Sequence, residues 1–266
     1  MNRFESRLAQ RASKADRLSG REPERRSGQS RIQRVRHEIR QRYPLVEAVT
    51  RVSPGFVSVT LRGDDLKDFP SLSFDDHIKV FIPGADGQEE RRDYTPRQFD
   101  ATSGTLVLEF ALHDGGVACD WANNLKVGER VHLGGPKGSM VIPLDYDWHW
   151  LVGDPTSLPA IHRRVEELPT GANATVIVQC EHVHDQRVLE SAAELEVVWV
   201  AGYNELLQAV TERPLPAGDG FVWAAGEGKA MAALRALVVN DKQQPSDSTR
   251  ISAYWKAGVQ GFSEKG

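Results

Sequence analysis

The sequence predicts an antiparallel β-barrel followed by a doubly wound α/β domain, and three observations carry that expectation. Short β segments broken by turn residues run from Leu45 to Pro143; apolar strands alternating with helical stretches follow; and a basic, apolar-poor stretch precedes both. The expected divisions are an N-terminal arm over 1–42, a barrel over 43–145 and an α/β domain with a C-terminal segment over 146–266. At 266 residues the chain is long enough for each folded part to bury a core of its own.

In the first folded part, Val57-Ser58-Val59-Thr60-Leu61 alternates apolar and polar side chains, as a strand buried on one face must. Ile78 to Ile82 stops at Pro83-Gly84, Thr105 to Phe110 follows Ser103-Gly104, and Glu129 to Leu133 runs into Gly134-Gly135-Pro136. Strands at this spacing, with little helix between them, argue for a closed antiparallel barrel.

In the second part, Trp148 to Val152 reads as a buried strand ending at Gly153-Asp154. Leu158 to Leu168 reads as its helix, with Pro159 tolerated in the first turn. Thr175 to Gln179, Glu196 to Val200 and Gly220 to Ala224 supply further strands, and Lys229 to Val239 a long helix. Open α/β sheets bind ligands beyond the carboxyl ends of their strands, which points to Gly153-Asp154-Pro155-Thr156, Cys180-Glu181 and Ala225-Gly226-Glu227. No G-x-G-x-x-G follows the first strand, so the common dinucleotide fingerprint is absent.

The net charge of −4 hides a split, because residues 1–42 carry 13 Lys+Arg against 5 Asp+Glu while residues 43–266 carry 20 against 32. Residues 1–30 have too few large apolar side chains to offset the entropy of ordering, so a mobile arm is expected. From Ser30 to Tyr43, the positions of Ile32, Val35 and Ile39 suggest a short amphipathic helix. The arm is expected to pack on its own acidic body rather than to bind nucleic acid or a membrane. Cys119 and Cys180 match no metal-ligand spacing and read as reduced thiols. With no apolar run near the ~20 residues of a membrane span and no apolar signal segment, the expectation is a cytoplasmic protein.

The most informative short stretch is Arg91-Arg92-Asp93-Tyr94-Thr95-Pro96-Arg97. If it is extended, Arg92 and Tyr94 share one side with the edge of Pro96, while Thr95 and Arg97 share the other. Arg92 is then placed for a pyrophosphate oxygen, Tyr94 for an isoalloxazine ring, and Thr95 for flavin N5. An ordinary strand end bearing surface arginines fits the heptapeptide equally well.

The companions of that motif carry a resemblance. Asp75-Asp76-His77-Ile78-Lys79, Arg92 to Arg97, Leu112-His113 through Trp121, Gly134 to Ser139, Gly153 to Ile161, Trp223 to Glu227 and Tyr254-Trp255-Lys256-Ala257-Gly258 run in one order over residues 43 to 260. In that order they resemble the siderophore-interacting proteins, a branch of the ferredoxin reductase-like superfamily. The resemblance implies a six-stranded Greek-key barrel holding FAD, then an α/β domain receiving NADH or NADPH. It implies FAD contacts from Arg92, Tyr94, Thr95, Arg97 and His113, and from Gly116, Val117, Ala118 and Trp121 around a helix start. Asp154, Thr156, Gly226 and Glu227 fall at matching nicotinamide positions, and Tyr254 and Trp255 at positions covering the flavin or the nicotinamide path. Lys79, Lys137 and Lys256 match a basic triad facing an anionic ferric siderophore.

The implied activity is an FAD-dependent reductase that passes electrons from NAD(P)H to a ferric siderophore, releasing Fe(II). Two departures from the family pattern bear on the electron donor. Pro155 and Ser157 stand where an acidic residue and alanine are usual, and Val200-Ala201-Gly202 follows Trp199 where a basic residue or histidine is usual. A reductase feeding another acceptor, one drawing on ferredoxin, and a non-enzymatic siderophore-binding module therefore remain open alternatives.

Overall fold

Period-two alternation builds the first lobe. The computed structural model describes residues 31–84, 87, 89–113 and 116–262. Its strands are β1 (Gln33–Arg36), β2 (Gln41–Arg42), β3 (Leu45–Ser53), β4 (Phe56–Arg62), β5 (Ile78–Pro83), β6 (Glu89–Tyr94), β7 (Gln98–Asp100), β8 (Thr105–Ala111), β9 (His132–Gly134) and β10 (Gly138–Val141). Helix α1 (Val117–Asn124) lies between β8 and β9. Two four-stranded antiparallel sheets, ordered β2-β9-β5-β6 and β3-β4-β8-β7, share one core. Val57, Val59 and Leu61 of β4, Ile78, Val80 and Ile82 of β5, and Leu106, Leu108 and Phe110 of β8 point into it. Each such side chain contributes roughly 1.5–3 kcal/mol by leaving water. The six strands expected become eight because short β2 and β7 add an edge to each sheet.

Two expectations need correction. The helix over Ser30–Tyr43 does not form among the described residues of that stretch: β1 pairs with β10, from Gln33 opposite Val141 to Arg36 opposite Gly138, and β2 pairs with β9. Three apolar residues in fourteen are a thin stripe, and Ile39 is exposed, so the sheet ladders satisfy the backbone instead. Residues 1–30, the rest of the expected arm, lie outside the described residues. The strand expected over Glu129–Leu133 begins later, at His132, with Arg130 making only an isolated bridge to Leu45.

The second lobe is built on a parallel sheet of β11 (Trp148–Gly153), β12 (Asn173–Gln179), β13 (Glu194–Val200), β14 (Gly220–Glu227) and β15 (Thr249–Trp255), ordered β13-β12-β11-β14-β15. Helices α2 (Leu158–Glu167), α3 (Tyr203–Glu212) and α4 (Gly228–Ala236) connect them, α4 running on into a wider turn over Leu237–Asp241. Every residue of β11 and β14 is buried, as central parallel strands covered on both faces should be. Leu151, Trp223 and Ala225 pack toward α2, while Trp150, Val152, Val222 and Ala224 pack toward Leu206, Val210, Met231 and Leu234 of α3 and α4. The order reverses between β11 and β14, so the crevice of this fold opens above those two strands. Among the described residues no helix is long and apolar enough to cross a membrane.

Polar contacts join the lobes around that crevice. Asp75, just before β5, accepts from Trp223 Nε1 at 2.8 Å and Arg250 Nε at 3.3 Å. Burial pushes its carboxyl up, and Arg250, the Trp223 N–H and His77 pull it partly back. Arg97, beyond β6, makes two 2.7 Å bonds to Glu166 on α2. Arg163 of α2 reaches Ser71 Oγ at 2.8 Å and the Pro96 carbonyl at 3.0 Å.

His149 on β11 is fully buried, with Nε2 3.4 Å from the Leu144 carbonyl and Nδ1 unpartnered among the described residues. Burial, then the charge of Arg164, lowers its pKa from 6.5 to about 4. Between those values the unfolded chain takes up a proton that the folded chain does not, so this share of stability is lost as pH falls from 6.5 toward 4 and is constant below. Replacing His149 with Phe should therefore reduce the loss of stability between pH 7 and pH 4 by on the order of 3 kcal/mol. Urea denaturation of both proteins at the two pH values measures it, and equal losses would refute it.

Candidate functional site

The crevice is framed by one carboxylate. β11 ends at Gly153, where any side chain would collide with Ser157 and the Ala225 carbonyl, and the next residue, Asp154, is 1% exposed. Its Oδ1 accepts from Thr156 N at 2.9 Å and Thr156 Oγ1 at 2.5 Å, closing the turn Pro155–Ser157 that leads into α2. Its Oδ2 accepts from Tyr203 Oη at 2.9 Å, Glu227 N at 2.9 Å and Trp255 Nε1 at 2.8 Å. Burial, then the neighbouring Asp154 charge, drives the Tyr203 phenol far up, which keeps it a donor. Gly226 makes the approach possible, since a Cβ there would stand 2.6 Å from Asp154 Oδ2.

The Glu227 carboxylate serves a different set of donors. It caps α4, accepting from Lys229 N at 2.7 Å and Ala230 N at 3.0 Å, and it takes a longer bond from Ala257 N at 3.3 Å. Burial raises its pKa, but the N–H groups of Ala230, Ala257 and Lys229 outweigh burial, so the carboxyl titrates below its ordinary value. Asp154, Thr156, Gly226 and Glu227 are thus brought together as expected, yet the two carboxylates are occupied by the protein and shape the crevice rather than project into it. Trp255, 37% exposed, offers ring surface above them.

The neighbouring residue ties this edge to the first lobe. The Tyr254 phenol lies beside the side chain of Thr95; burial and then the Asp75 charge push it far up, so it stays protonated. Thr95 is buried just beyond β6. Alternation along β6 puts Arg92 and Tyr94 on one half-buried side, as the sequence suggests. The Tyr94 ring lies 4.3 Å from Phe110, which meets Trp121 of α1 edge-on at 5.9 Å. Arg92 is held by Glu90 and the Arg91 carbonyl, and Gly261 of the C-terminal segment lies against its guanidinium.

Gly116 starts α1 without a side-chain cap, leaving the first-turn N–H groups of Val117 and Ala118 to other partners. Its Cα presses on the His113 ring: an added Cβ would stand 2.6 Å from Cε1. His113 N also donates to Cys119 Sγ at 3.4 Å. Gly115, part of the same expected segment, lies outside the described residues. Arg97, expected as a cofactor ligand, is 4% exposed with both terminal nitrogens bonded to Glu166.

The lysines divide between the lobes. Lys79 on β5 stands opposite Gly134, three residues before Lys137, and forms a 2.5 Å ion pair with Asp93. Lys137 is exposed, and Lys256 is exposed at the end of β15 beside Gly228. Residues the sequence reading missed are Tyr203, Arg163 and Arg250. Asp75 and Trp223 belong to quoted motifs, but their mutual bond across 148 positions has no local signal.

Replacing Asp154 with Ala strips Tyr203, Glu227 N and Trp255 of one shared acceptor. Each buried unpaired group costs about 1–3 kcal/mol, so the variant should lose at least about 2 kcal/mol of stability. Its indole fluorescence should also shift to the red as Trp255 loosens. Chemical denaturation and an emission spectrum check both, and unchanged values would remove Asp154 from the centre of the site.

Comparison with known proteins places these lobes. A family model described as siderophore-interacting FAD-binding domain matches residues 45–91 and 86–140, and one described as siderophore-interacting protein matches residues 146–258. The chain is 34% identical over 247 residues to the NADPH-dependent ferric-chelate reductase of Escherichia coli K12, covering 85% of this chain and 96% of that one. It is 30% identical over 251 residues to the ferric vibriobactin reductase ViuB of Vibrio cholerae, covering 84% and 93%. The crystal structure of a siderophore utilization protein from T. fusca aligns with a TM-score of 0.81 at 29% identity, over 87% of this chain and 98% of that one. With both lobes matched and one relative aligned over nearly its whole length, the chain belongs to the siderophore-interacting protein family.

Proposed function

We propose that this protein is a cytoplasmic FAD-dependent reductase that takes electrons from a reduced nicotinamide nucleotide and delivers them to a ferric siderophore. The observation that carries this reading is the seam between β15 and the barrel, where Arg250 of β15 reaches Asp75 at 3.3 Å and Tyr254 lies beside Thr95. It brings the end of β15, at the crevice of the parallel sheet, against the Arg92–Thr95 segment of the barrel. Two cofactor-binding surfaces that face each other at one seam suit electron passage between their ligands. The barrel is assigned to 43–145 and the nicotinamide domain to 146–266, with β1 and β2 of residues 31–42 added to the first lobe.

The residues present fit FAD. Gly116 lets the backbone at the start of α1 approach a diphosphate, and the first-turn N–H groups of Val117 and Ala118 have no side-chain cap. Arg92 would have to turn from Glu90 to supply charge to the same group, Tyr94 would offer a ring face, His113 an imidazole beside the turn, and Thr95 a buried hydroxyl beside Tyr254. Bound FAD would supply the chemistry of taking up one hydride, an electron pair, and giving electrons singly to Fe(III). Trp255, tied to Asp154, and Tyr254 would flank the bound nicotinamide, and the loops after Asp154 and Gly226 would shape its entry. Oxygen-rich chelators hold Fe(III) far better than the softer Fe(II), so electron delivery frees the metal without a protein ligand to it.

Lys137 and Lys256 give the substrate surface its cationic character, and Lys79 contributes less because Asp93 neutralises it. An anionic triscatecholate is attracted by such a surface and a neutral hydroxamate is not.

Purified protein should carry FAD, visible as flavin absorption. Replacing Arg92 with Ala should weaken retention about tenfold or more, since hydrogen bonds to charged groups contribute about 1.5–3 kcal/mol. Lys256→Ala should retain FAD, and equal FAD content in the two variants would reject the Arg92 assignment. Exchange of Lys79, Lys137 and Lys256 for Gln should slow reduction of a ferric triscatecholate far more than that of a neutral hydroxamate. Added salt should slow the triscatecholate reaction of the unaltered protein. Among single variants, Lys137→Gln should cost more than Lys79→Gln. Equal losses for both substrates would assign the lysines to the fold.

A further inference from the structure

We propose that the nucleotide crevice selects NADH against NADPH, with Glu205 as the discriminating residue; this deepens the function proposed above and rests on it. The crevice opens between β11 and β14, and the flavin-facing seam of Tyr254 and Thr95 lies on the β14–β15 side. A dinucleotide whose nicotinamide reaches that seam must lay its adenosine half the other way, over the carboxyl ends of β12 and β13. There the adenosine ribose is read, by a carboxylate for a free 2′-hydroxyl or by an arginine for a 2′-phosphate.

The loops at that end carry acid and no Lys or Arg before Arg187, whose charge acts on Cys180. Residues 180–186, after β12, and 200–212, after β13, contain no Lys or Arg; His182 and His184 are their only imidazoles. Glu181 and Glu205 are both exposed there. Arg187 is itself paired with Glu109, Arg164 is bound to the Ile142 and Pro143 carbonyls ahead of β11, and Arg213, beyond α3, pairs with Glu196 near the start of β13. Arg163 is held by Ser71, the Pro96 carbonyl and Glu167.

Glu205 also takes the place in which a phosphate would gain most. Gly202 starts the ten-residue α3 without a side-chain cap, and the Glu205 carboxylate folds back over that start, its Oε2 2.7 Å from where a Gly202 Cβ would stand. A helix start favours one anion, and this one already has it. A 2′-phosphate would bring roughly 1.5–2 further negative charges against that carboxylate, whereas a ribose 2′-hydroxyl can donate to it.

The test uses the full chain loaded with FAD. Anaerobic stopped-flow bleaching of the flavin should show an efficiency at least tenfold higher with NADH than with NADPH. Calorimetric titration should show the same preference for ADP-ribose over 2′-phospho-ADP-ribose, a readout that needs no turnover. Glu205→Arg should move both ratios at least tenfold toward the phosphorylated ligand, and Ala201→Arg, at the exposed end of β13, should move them the same way should the first variant fold poorly. Equal use of the two nucleotides by the unaltered protein, or ratios that neither variant moves, would overturn the assignment. Failure of both nucleotides to bleach the flavin would instead overturn the nicotinamide donor itself, and this selectivity with it.

Discussion

The architecture of the site depends on the Asp154 carboxylate. A side chain that is 1% exposed survives burial only when its oxygens are satisfied, and five donors from four separate stretches of chain converge on it. Thr156 fixes the turn after β11, Glu227 N fixes the end of β14, Trp255 fixes the end of β15 and Tyr203 fixes the start of α3. Carboxyl ends of parallel strands carry unpaired backbone groups and would otherwise be the loosest part of the sheet. One acceptor shared among them sets the shape of the crevice before any ligand arrives.

Rigidity at that edge would be of little use without rigidity between the lobes. Here the contacts differ in kind. Arg97 and Glu166 form a bidentate pair, whose planar geometry fixes orientation as well as distance. Asp75 takes donors from two adjacent strands of the other lobe, Trp223 on β14 and Arg250 on β15, so it resists sliding of the barrel along the sheet. Phe74 meets Trp223 edge-on at 5.3 Å, adding an apolar contact beside the polar one. Electron transfer falls off steeply with misplacement of the partners, and a seam held by three dissimilar contacts keeps its spacing when any one of them fluctuates.

The strands that alternate cleanly were legible in the sequence, because burial of one face is a local property: β4, β5 and β8 lie within a residue or two of where Val57–Leu61, Ile78–Ile82 and Thr105–Phe110 place them. β1 was not, since Gln33-Arg34-Val35-Arg36 has no buried face of its own and is a strand only because β10 supplies a ladder 102 or more residues away. α3 and β15 were missed for opposite reasons. α3 follows a glycine with no capping side chain, and β15 carries Arg250 and Ser252 inside an otherwise apolar run. For the site, residue types at the strand ends were readable and their partners were not. Arg97 looks like a ligand-binding arginine in the heptapeptide, and only the fold reveals Glu166 beside it.

That distinction separates two kinds of charge in the molecule. Arg97, Arg163, Arg164 and Arg187 are all buried or nearly so, and each is engaged by carboxylates or carbonyls, where an unpaired charge would cost several kcal/mol. Lys137 and Lys256 stay in water, where holding a charge costs nothing and attraction of an anion is weak and screened by salt. Planar guanidinium groups hold the lobes together and the compact ammonium groups remain hydrated. A guanidinium offers five donors in a fixed fork, so carbonyls and carboxylates can replace its water one for one, whereas an ammonium on a flexible stem gains less from burial. That is why the cations at the lobe contacts are arginines.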